Sequence, residues 1–322
     1  MTLPGRRAKI TICVATYNQR PYIKDCLMSL LMQSCEAELE ILVGDDCSTD
    51  GTGAVISEVA AAYPGRLKIP DRPTNLGPSK NYQDLIRRAG GGYIAHIDGD
   101  DYWMPNKLAE QLAHFEKNPA SIAVYSNAHI IDETGQMTGV FNNAQPETFD
   151  MDYLLRRGNF LNHSSMIYRA EFKQCLLDLT GDFIDYRMHL RLSRHGRLGY
   201  VNKDLVAYRA GSTTSMIKNA PDKVDLLYWE AITDPGTSST LKASRTSAQA
   251  HFYSRIFYNS VRRRRFFYAR QWAIRIRSEC PNQANQIFLR SAPLILSALE
   301  RSIRRKLATL FSGSGFYPRY ER

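Results

Sequence analysis

No run in the 322 residues approaches the roughly 18 consecutive apolar residues that a membrane-spanning helix needs. The opening MTLPGRRAKI lacks the apolar stretch of a secretory signal. The six cysteines (Cys13, Cys26, Cys35, Cys47, Cys175 and Cys280) form no C-x-x-C pair and no zinc-like spacing. That pattern argues against a disulfide framework and for buried thiols in a reducing compartment. A cytoplasmic location is therefore expected. There is no G-x-x-x-x-G-K-[ST] loop to cradle phosphates, and the "GTG" at 51–53 fails as a dinucleotide fingerprint because Ile56 stands where its third glycine belongs. Internal repeats and low-complexity stretches are also missing.

Acidic charge is scarce in one place only. Residues 241–322 hold 3 Asp+Glu against 17 Lys+Arg, a net +14, whereas the first 240 hold 29 against 25, a net −4. The whole excess of +10 thus belongs to the tail, and the shift in composition marks a boundary.

The N-terminal third alternates two periods. "KITICVAT" (9–16), "LEILVGDD" (39–46) and "GYIAHIDGD" (92–100) are short β-branched or apolar runs that end in polar punctuation, as strands do. Between them, "RPYIKDCLMSLLMQ" carries apolar residues at helical spacing, "STDGTGAVISEVAAAY" offers Ser48, Thr49 or Asp50 as a helix cap, and "PSKNYQDLIRRAGG" opens on Pro78. Strand–helix–strand alternation predicts a largely parallel sheet with helices on its faces, whose ligands bind beyond the strands' carboxyl ends. Farther on, "SIAVYSNAHIID" reads as a strand pair, "FLNHSSMIYRAEF" as a strand running into a helix, "DFIDYRMHLRLSRHG" as a helix ending at Gly196, and "LGYVNKDLVAYRAG" as a strand.

Three strand ends carry the chemistry. In "YIAHIDGDDYWMP", Asp98 and Asp100 flank Gly99, a spacing that lets two carboxylates approach one cation from a tight turn. Oxygen-only ligands favour Mg²⁺ or Mn²⁺; the competing reading is a solvated acidic turn. In "VGDDCSTDGT", Asp45 and Asp46 can accept the N–H of a pyrimidine or ribose hydroxyls, with Tyr17 as a cover for the base. Clustered carboxylates at two strand ends repel, and they need a compensating cation or hydrogen bonds.

Taken in order, "TYNQRPYIKDCLMSLLMQ", "ILVGDDCSTDGT", "TNLGPSKNYQDLIRRAGGGYIAHIDGDDYWMPNKLAEQ" and "FIDYRMHLRLSRHGRLGYVNKDLVAYR" resemble family 2 glycosyltransferases over about residues 9 to 216. The resemblance implies an α/β protein of the GT-A fold: a Rossmann-like, mostly parallel central sheet flanked by helices, here with a basic, mainly helical C-terminal extension. It implies an inverting enzyme that uses a nucleotide sugar, most simply UDP-linked, with Mg²⁺ or Mn²⁺. Residues 1–220 would form the transferase domain, with a nucleotide-sugar half at about 9–120 and an acceptor half at about 121–220; residues 221–322 would form the basic helical region.

By position, Thr16 and Tyr17 would line the nucleotide pocket, and Asp46, with Asp45 beside it, would read the base. Lys80 would lie near the base or diphosphate, with Asn75 shaping the loop. Asp98 and Gly99 would contact the donor, and Asp100, with Asp98, would hold the metal. Asp185 would be the general base, with Asp182 as its rival three residues earlier. His163 and Ser164, in "LNHSSMIYR", and Arg209 are candidates for acceptor or diphosphate contact, against the reading of His163 as a hydrogen-bonded structural histidine. Two departures stand out: Ile184 replaces the acid that often precedes the base, and "YRAGSTTS" puts Gly211 and Ser212 where many members have a histidine.

The resemblance leads to the expectation of a hexosyl- or N-acetylhexosaminyl-transferase acting on a glycan or lipid-linked acceptor, as in surface-polysaccharide synthesis. Two alternatives stand beside it. A nucleotidyltransferase would need a basic glycine-rich triphosphate loop that "VATYNQRPY" does not supply, and a basic-tailed adaptor would keep the fold with a dead site. The tail, "FYSRIFYNSVRRRRFFYARQWAIRIR" and "IFLRSAPLILSALERSIRRKLAT", interleaves aromatics and arginines. An anionic membrane surface at the inner face is the partner expected of it. A solvated helical subdomain is the plainer alternative, and nucleic acid is the disfavoured partner.

Overall fold

The computed structural model describes residues 8–211, 219–234 and 241–311, with side chains to residue 304. Ser212, named above, lies outside the described residues. The first strand, β1 (Ala8–Thr16), pairs in parallel with β2 (Ala37–Asp45) on one side and β4 (Tyr93–Asp98) on the other. A short β3 (Leu67–Lys68) extends the sheet beyond β2, also in parallel. Ile10, Ile12 and Val14 are buried, and so are Thr11 and Cys13 on the alternate face, as expected of a central strand covered on both sides.

The covering helices follow the sequence pattern. In α1 (Ile23–Leu31), Ile23, Cys26, Leu27 and Leu30 turn inward. In α2 (Thr52–Ala62) the N-cap is Gly51, not one of the three residues expected, and the carboxylate of Asp50 just before it accepts both the backbone N–H and the hydroxyl of Thr52. In α3 (Pro78–Arg88), proline occupies the first turn directly after Gly77, whose φ of +79° suits glycine.

Beyond β4 the sheet becomes mixed. Among the described residues it has ten strands, with the main order β3-β2-β1-β4-β9-β6-β10-β5. After β5 (Tyr102–Trp103) and α4 (Lys107–Lys117) come β6 (Ser121–Ile131), β7 (Met137–Val140) and β8 (Thr148–Phe149). The segment "SIAVYSNAHII" is thus one long strand, not a pair; its hairpin partner is β7. β9 (Ile167–Arg169) inserts antiparallel between β4 and β6, and β10 (Arg197–Arg209) returns parallel to β6. The parallel half therefore carries the first three acidic and polar strand ends, and the antiparallel insertion brings residues 163–169 against β4. The segment read as a strand entering a helix is a 3₁₀ turn (His163–Ser165), then β9, then a second 3₁₀ turn (Ala170–Phe172) ahead of α6 (Gln174–Leu177). The helix expected to end at Gly196 is α7 (Asp185–Leu192), which stops four residues earlier.

Two compact units result. One holds residues to Met151 together with Phe160–Ala231. The other holds Asp152–Asn159 and the described residues from Ile232. α5 (Met151–Arg157) and α8 (Pro221–Thr233) lie where the units divide. The second unit is built from α9 (Lys242–Arg262), α10 (Phe266–Glu279) and α11 (Ala284–Phe311), with Phe252 edge-on to Trp272 at 4.8 Å and Tyr253 edge-on to Phe288 at 5.0 Å. All six cysteines are free; Cys13 and Cys26 are buried and the other four partly so. No helix among the described residues is long and apolar enough to cross a membrane.

Candidate functional site

The carboxyl end of β1 gathers the loops that follow β2 and β4. The Asp46 N–H donates to the Thr16 carbonyl at 3.0 Å, and the Gly99 N–H donates to the Ala15 carbonyl at 2.9 Å. Thr16 is buried, and its hydroxyl donates to Gln19 at 2.8 Å. A Cβ on residue 99 would sit 2.6–2.8 Å from Gln19 Oε1, Thr16 Oγ1 and Thr16 Cβ. Only glycine allows the acidic loop to approach β1 this closely. Tyr17 stands at the rim, 43% exposed.

The two acids after β2 are both engaged. Asp45 accepts the Ser48 N–H at 3.2 Å and the Ser48 hydroxyl. Asp46 is buried, and its two carboxylate oxygens accept the N–H groups of Leu76 and Gly77, each at 2.8 Å. Asn75 donates to the Asp46 carbonyl at 2.7 Å. Asp46 and Asn75 therefore build the loop that leads into α3, and Lys80 is exposed on the first turn of that helix. Sequence reading passed over Arg72. Its guanidinium pairs with Asp84 at 2.9 Å, but Nε and Nη1 are buried without a partner, and its carbonyl receives the Cys47 thiol at 3.2 Å. Buried donors are rarely left unpaired, so these two nitrogens single out Arg72, beside Cys47, as a candidate binding group.

The acidic run after β4 divides into separate roles. Asp98 is partly buried. Burial, then the negative charges of Asp100 and Asp185, push its carboxyl up to about 7. Asp101 is the inward residue: its carboxylate accepts the Arg209 N–H at 2.8 Å and the Ser164 hydroxyl at 2.5 Å. Burial, with the charges of Asp100 and Asp98, pushes its carboxyl up as well. Ser164 also accepts the Asp98 N–H at 3.1 Å, and its carbonyl receives the Trp103 indole N–H at 2.7 Å. Arg209 is buried and turns its guanidinium to the carbonyls of Asp100, Asp132 and Glu133, lying 4.1 Å from the Tyr22 ring centre. Ser164 and Arg209 thus frame the acidic loop from behind.

Asp185 opens α7, a position where the helix dipole favours an ionised carboxylate. It accepts the Tyr186 N–H at 2.7 Å, and its charge reaches both Asp98 and the buried Tyr125. Asp182, the rival, is exposed and ion-paired to Lys223 at 2.6 Å. One turn along α7 from Asp185, His189 is fully buried. Its ring lies 5.8 Å from that of His163, which in turn lies 5.3 Å from those of Tyr82 and His96. Burial holds His163 down to about 4, so the imidazole is neutral near pH 7.

The helix that opens with Asp185 thus packs beside the turn that anchors the acidic loop, His189 lying 5.8 Å from His163 and Ser164 accepting the Asp98 N–H. Asp98 and Asp100 offer hard oxygen donors, which fits Mg²⁺ or Mn²⁺. Among the described residues, no group of three or more His, Cys, Asp or Glu side chains is arranged to enclose an ion.

The sequence model of glycosyl transferase family 2 matches residues 11–177, just over half the chain. The chain belongs to glycosyl transferase family 2. This family 2 protein is 31% identical over 202 residues to an uncharacterised protein of Mycobacterium tuberculosis, a match that covers 62% of this chain and 58% of the relative. Its fold resembles the crystal structure of Staphylococcus aureus TarS 1–349 in complex with UDP-GlcNAc. That match has a TM-score of 0.61 and 21% identity, and covers 77% of this chain and 72% of TarS 1–349. It also resembles the mannosyltransferase PcManGT of Pyrobaculum calidifontis in complex with GDP-Man and Mn²⁺. Here the TM-score is 0.57 and the identity 16%, over 97% of this chain and 89% of PcManGT. The GT-A fold expected of the sequence is therefore the fold observed.

Proposed function

We propose that this family 2 protein is an inverting glycosyltransferase that moves a sugar from a UDP-linked donor to a hydroxyl of a glycan or lipid-linked acceptor, assisted by Mg²⁺ or Mn²⁺. The observation that supports the reading is the packing of α7 beside the turn that holds the acidic loop: His189, one turn from Asp185, lies 5.8 Å from His163, and the neighbouring Ser164 accepts the Asp98 N–H. Inversion needs one base on the side of the acceptor and charge stabilisation on the side of the leaving group. Asp185 serves as the base: its carboxylate takes the acceptor's proton as the oxygen attacks the anomeric carbon and the bond to the departing UDP oxygen breaks. Asp182, already tied to Lys223, is poorly placed for that role.

Asp98 and Asp100 hold the divalent cation, which when bound offsets charge growing on the departing diphosphate. Thr16, Tyr17, Asp45 and the buried donors of Arg72 line the base and ribose, while Asp46 and Asn75 shape the loop that carries Lys80 toward the diphosphate. His163, neutral near pH 7, faces the transferred sugar or the acceptor as a hydrogen-bonding group. In this reading residues 1–220 carry the chemistry. The TarS complex with UDP-GlcNAc supports a UDP-linked donor, and the PcManGT complex supports Mn²⁺.

The test is Asp185→Asn. It should abolish transfer while leaving UDP affinity within about twofold, since the amide keeps the shape but accepts no proton. Equal turnover by the variant would remove Asp185 from the mechanism.

A further inference from the structure

Helix α11 has two apolar sides. One faces the helical unit: Ala284, Ile287 and Ser291 are buried, and Phe288 meets Tyr253 at 5.0 Å. The other faces solvent. Leu289 is 74% exposed, Leu296 67% and Ile303 58%. These three recur every seven residues, so they fall on one narrow stripe of the helix. Ala292 and Pro293, also exposed, lie along the same stripe. A packed bundle has no need for leucines there, and an exposed apolar row of this length marks a contact surface.

Charge says what the surface meets. Arg290, Arg301 and Arg304 are exposed along one flank of the stripe. Glu300, the acid within it, is held by Arg304 at 2.6 Å, so its charge is compensated locally. Residues 241–322 carry 17 Lys+Arg against 3 Asp+Glu. At the turn into α10, the arginine run 262–265 leads directly into Phe266 and Phe267, 63% and 66% exposed. A second copy of this chain would bring the same cations to the same seam. An anionic bilayer supplies both apolar depth and negative charge. From Leu289 to Ile303 the stripe is about 21 Å long, at about 1.5 Å per residue, less than the roughly 30 Å of a hydrocarbon core. Its geometry is that of a helix lying in the interface.

We propose that α11 docks on an anionic phospholipid surface, inserting Leu289, Leu296 and Ile303 among the acyl chains while the flanking arginines meet the headgroups. The inference stands apart from the sugar-transfer reading, because vesicle binding needs no donor and either can fail alone.

The test uses the full chain with vesicles of phosphatidylcholine alone and of phosphatidylcholine with one quarter phosphatidylglycerol, followed by co-sedimentation. The protein should partition at least about tenfold more strongly onto the anionic vesicles. The triple variant Leu289→Ser, Leu296→Ser, Ile303→Ser should lose at least about tenfold of that partitioning. Its thermal midpoint should be unchanged, because the replaced side chains face solvent. Equal partitioning by the variant, or equal binding to both vesicle types, would overturn the proposal. Self-association of the intact protein that the variant lacks, without vesicle binding, would overturn it too and assign the stripe to a second copy. Binding to single-stranded RNA in place of vesicles would overturn it in favour of nucleic acid.

Discussion

The Ser164 hydroxyl donates to the Asp101 carboxylate at 2.5 Å, across 63 residues of chain, and the same oxygen accepts the Asp98 N–H at 3.1 Å. One buried side chain therefore fixes both ends of the acidic loop, leaving Gly99 and Asp100 between two anchored points.

Removing that hydroxyl leaves the Asp98 N–H without its acceptor and costs the buried Asp101 carboxyl one of its two donors. Ser164→Ala should lower stability by about 1–3 kcal/mol, the usual cost of stranding buried polar groups. Urea denaturation followed by tryptophan fluorescence measures it. An unchanged midpoint would mean that the loop is held by Arg209 alone.

Gly99 lies where a Cβ would come within 2.8 Å of Thr16 Cβ, and that atom sits on a buried strand end and cannot swing aside. Gly99→Ala should push the loop away from β1 and displace Asp98 and Asp100. UDP affinity should fall at least about tenfold, a misplacement effect, while α/β circular dichroism is retained. Calorimetric titration with UDP checks it, and wild-type affinity would contradict the close approach.

Glu40 offers a pH signature far from the site. Burial pushes its carboxyl up, but hydrogen bonds from Lys68 at 2.6 Å, Thr11 at 2.7 Å and Lys9 at 3.3 Å bring it down to about 2. A depressed carboxyl pKa stabilises the fold above the unfolded value near 4.3 and ceases to do so as pH falls through about 2. Glu40→Gln should therefore cost on the order of 2 kcal/mol at pH 7, with the difference from wild type closing between about pH 4 and pH 2. Denaturation curves at several pH values show whether the gap closes; a pH-independent gap would place the effect in packing.

Much of this was legible in the sequence because strand ends announce themselves. "CVATYN", "VGDDCS" and "HIDGDD" each pair a short apolar run with polar residues, and parallel topology gathers such ends along one edge. The antiparallel β9 was harder to read. Its three residues follow a 3₁₀ turn, and their role depends on partners in β4 and β6 rather than on local period. Neighbouring aspartates also look alike in one dimension. Asp101 turns inward to Ser164 and Arg209, and only the fold distinguishes it from Asp100. Arg72 left no signal at all, since what marks it is a pair of buried nitrogens without partners. In the tail, composition disclosed the charge, but the seven-residue stripe of α11 gained meaning only once its opposite side was seen to be buried.

The most direct test of the account is calorimetry with UDP, with and without Mn²⁺, on the intact protein and on Asp100→Ala. Binding should require Mn²⁺ and be lost in the variant, because in the proposed function Asp100 with Asp98 would hold the cation. UDP binding of equal strength without metal, or in Asp100→Ala, would contradict it.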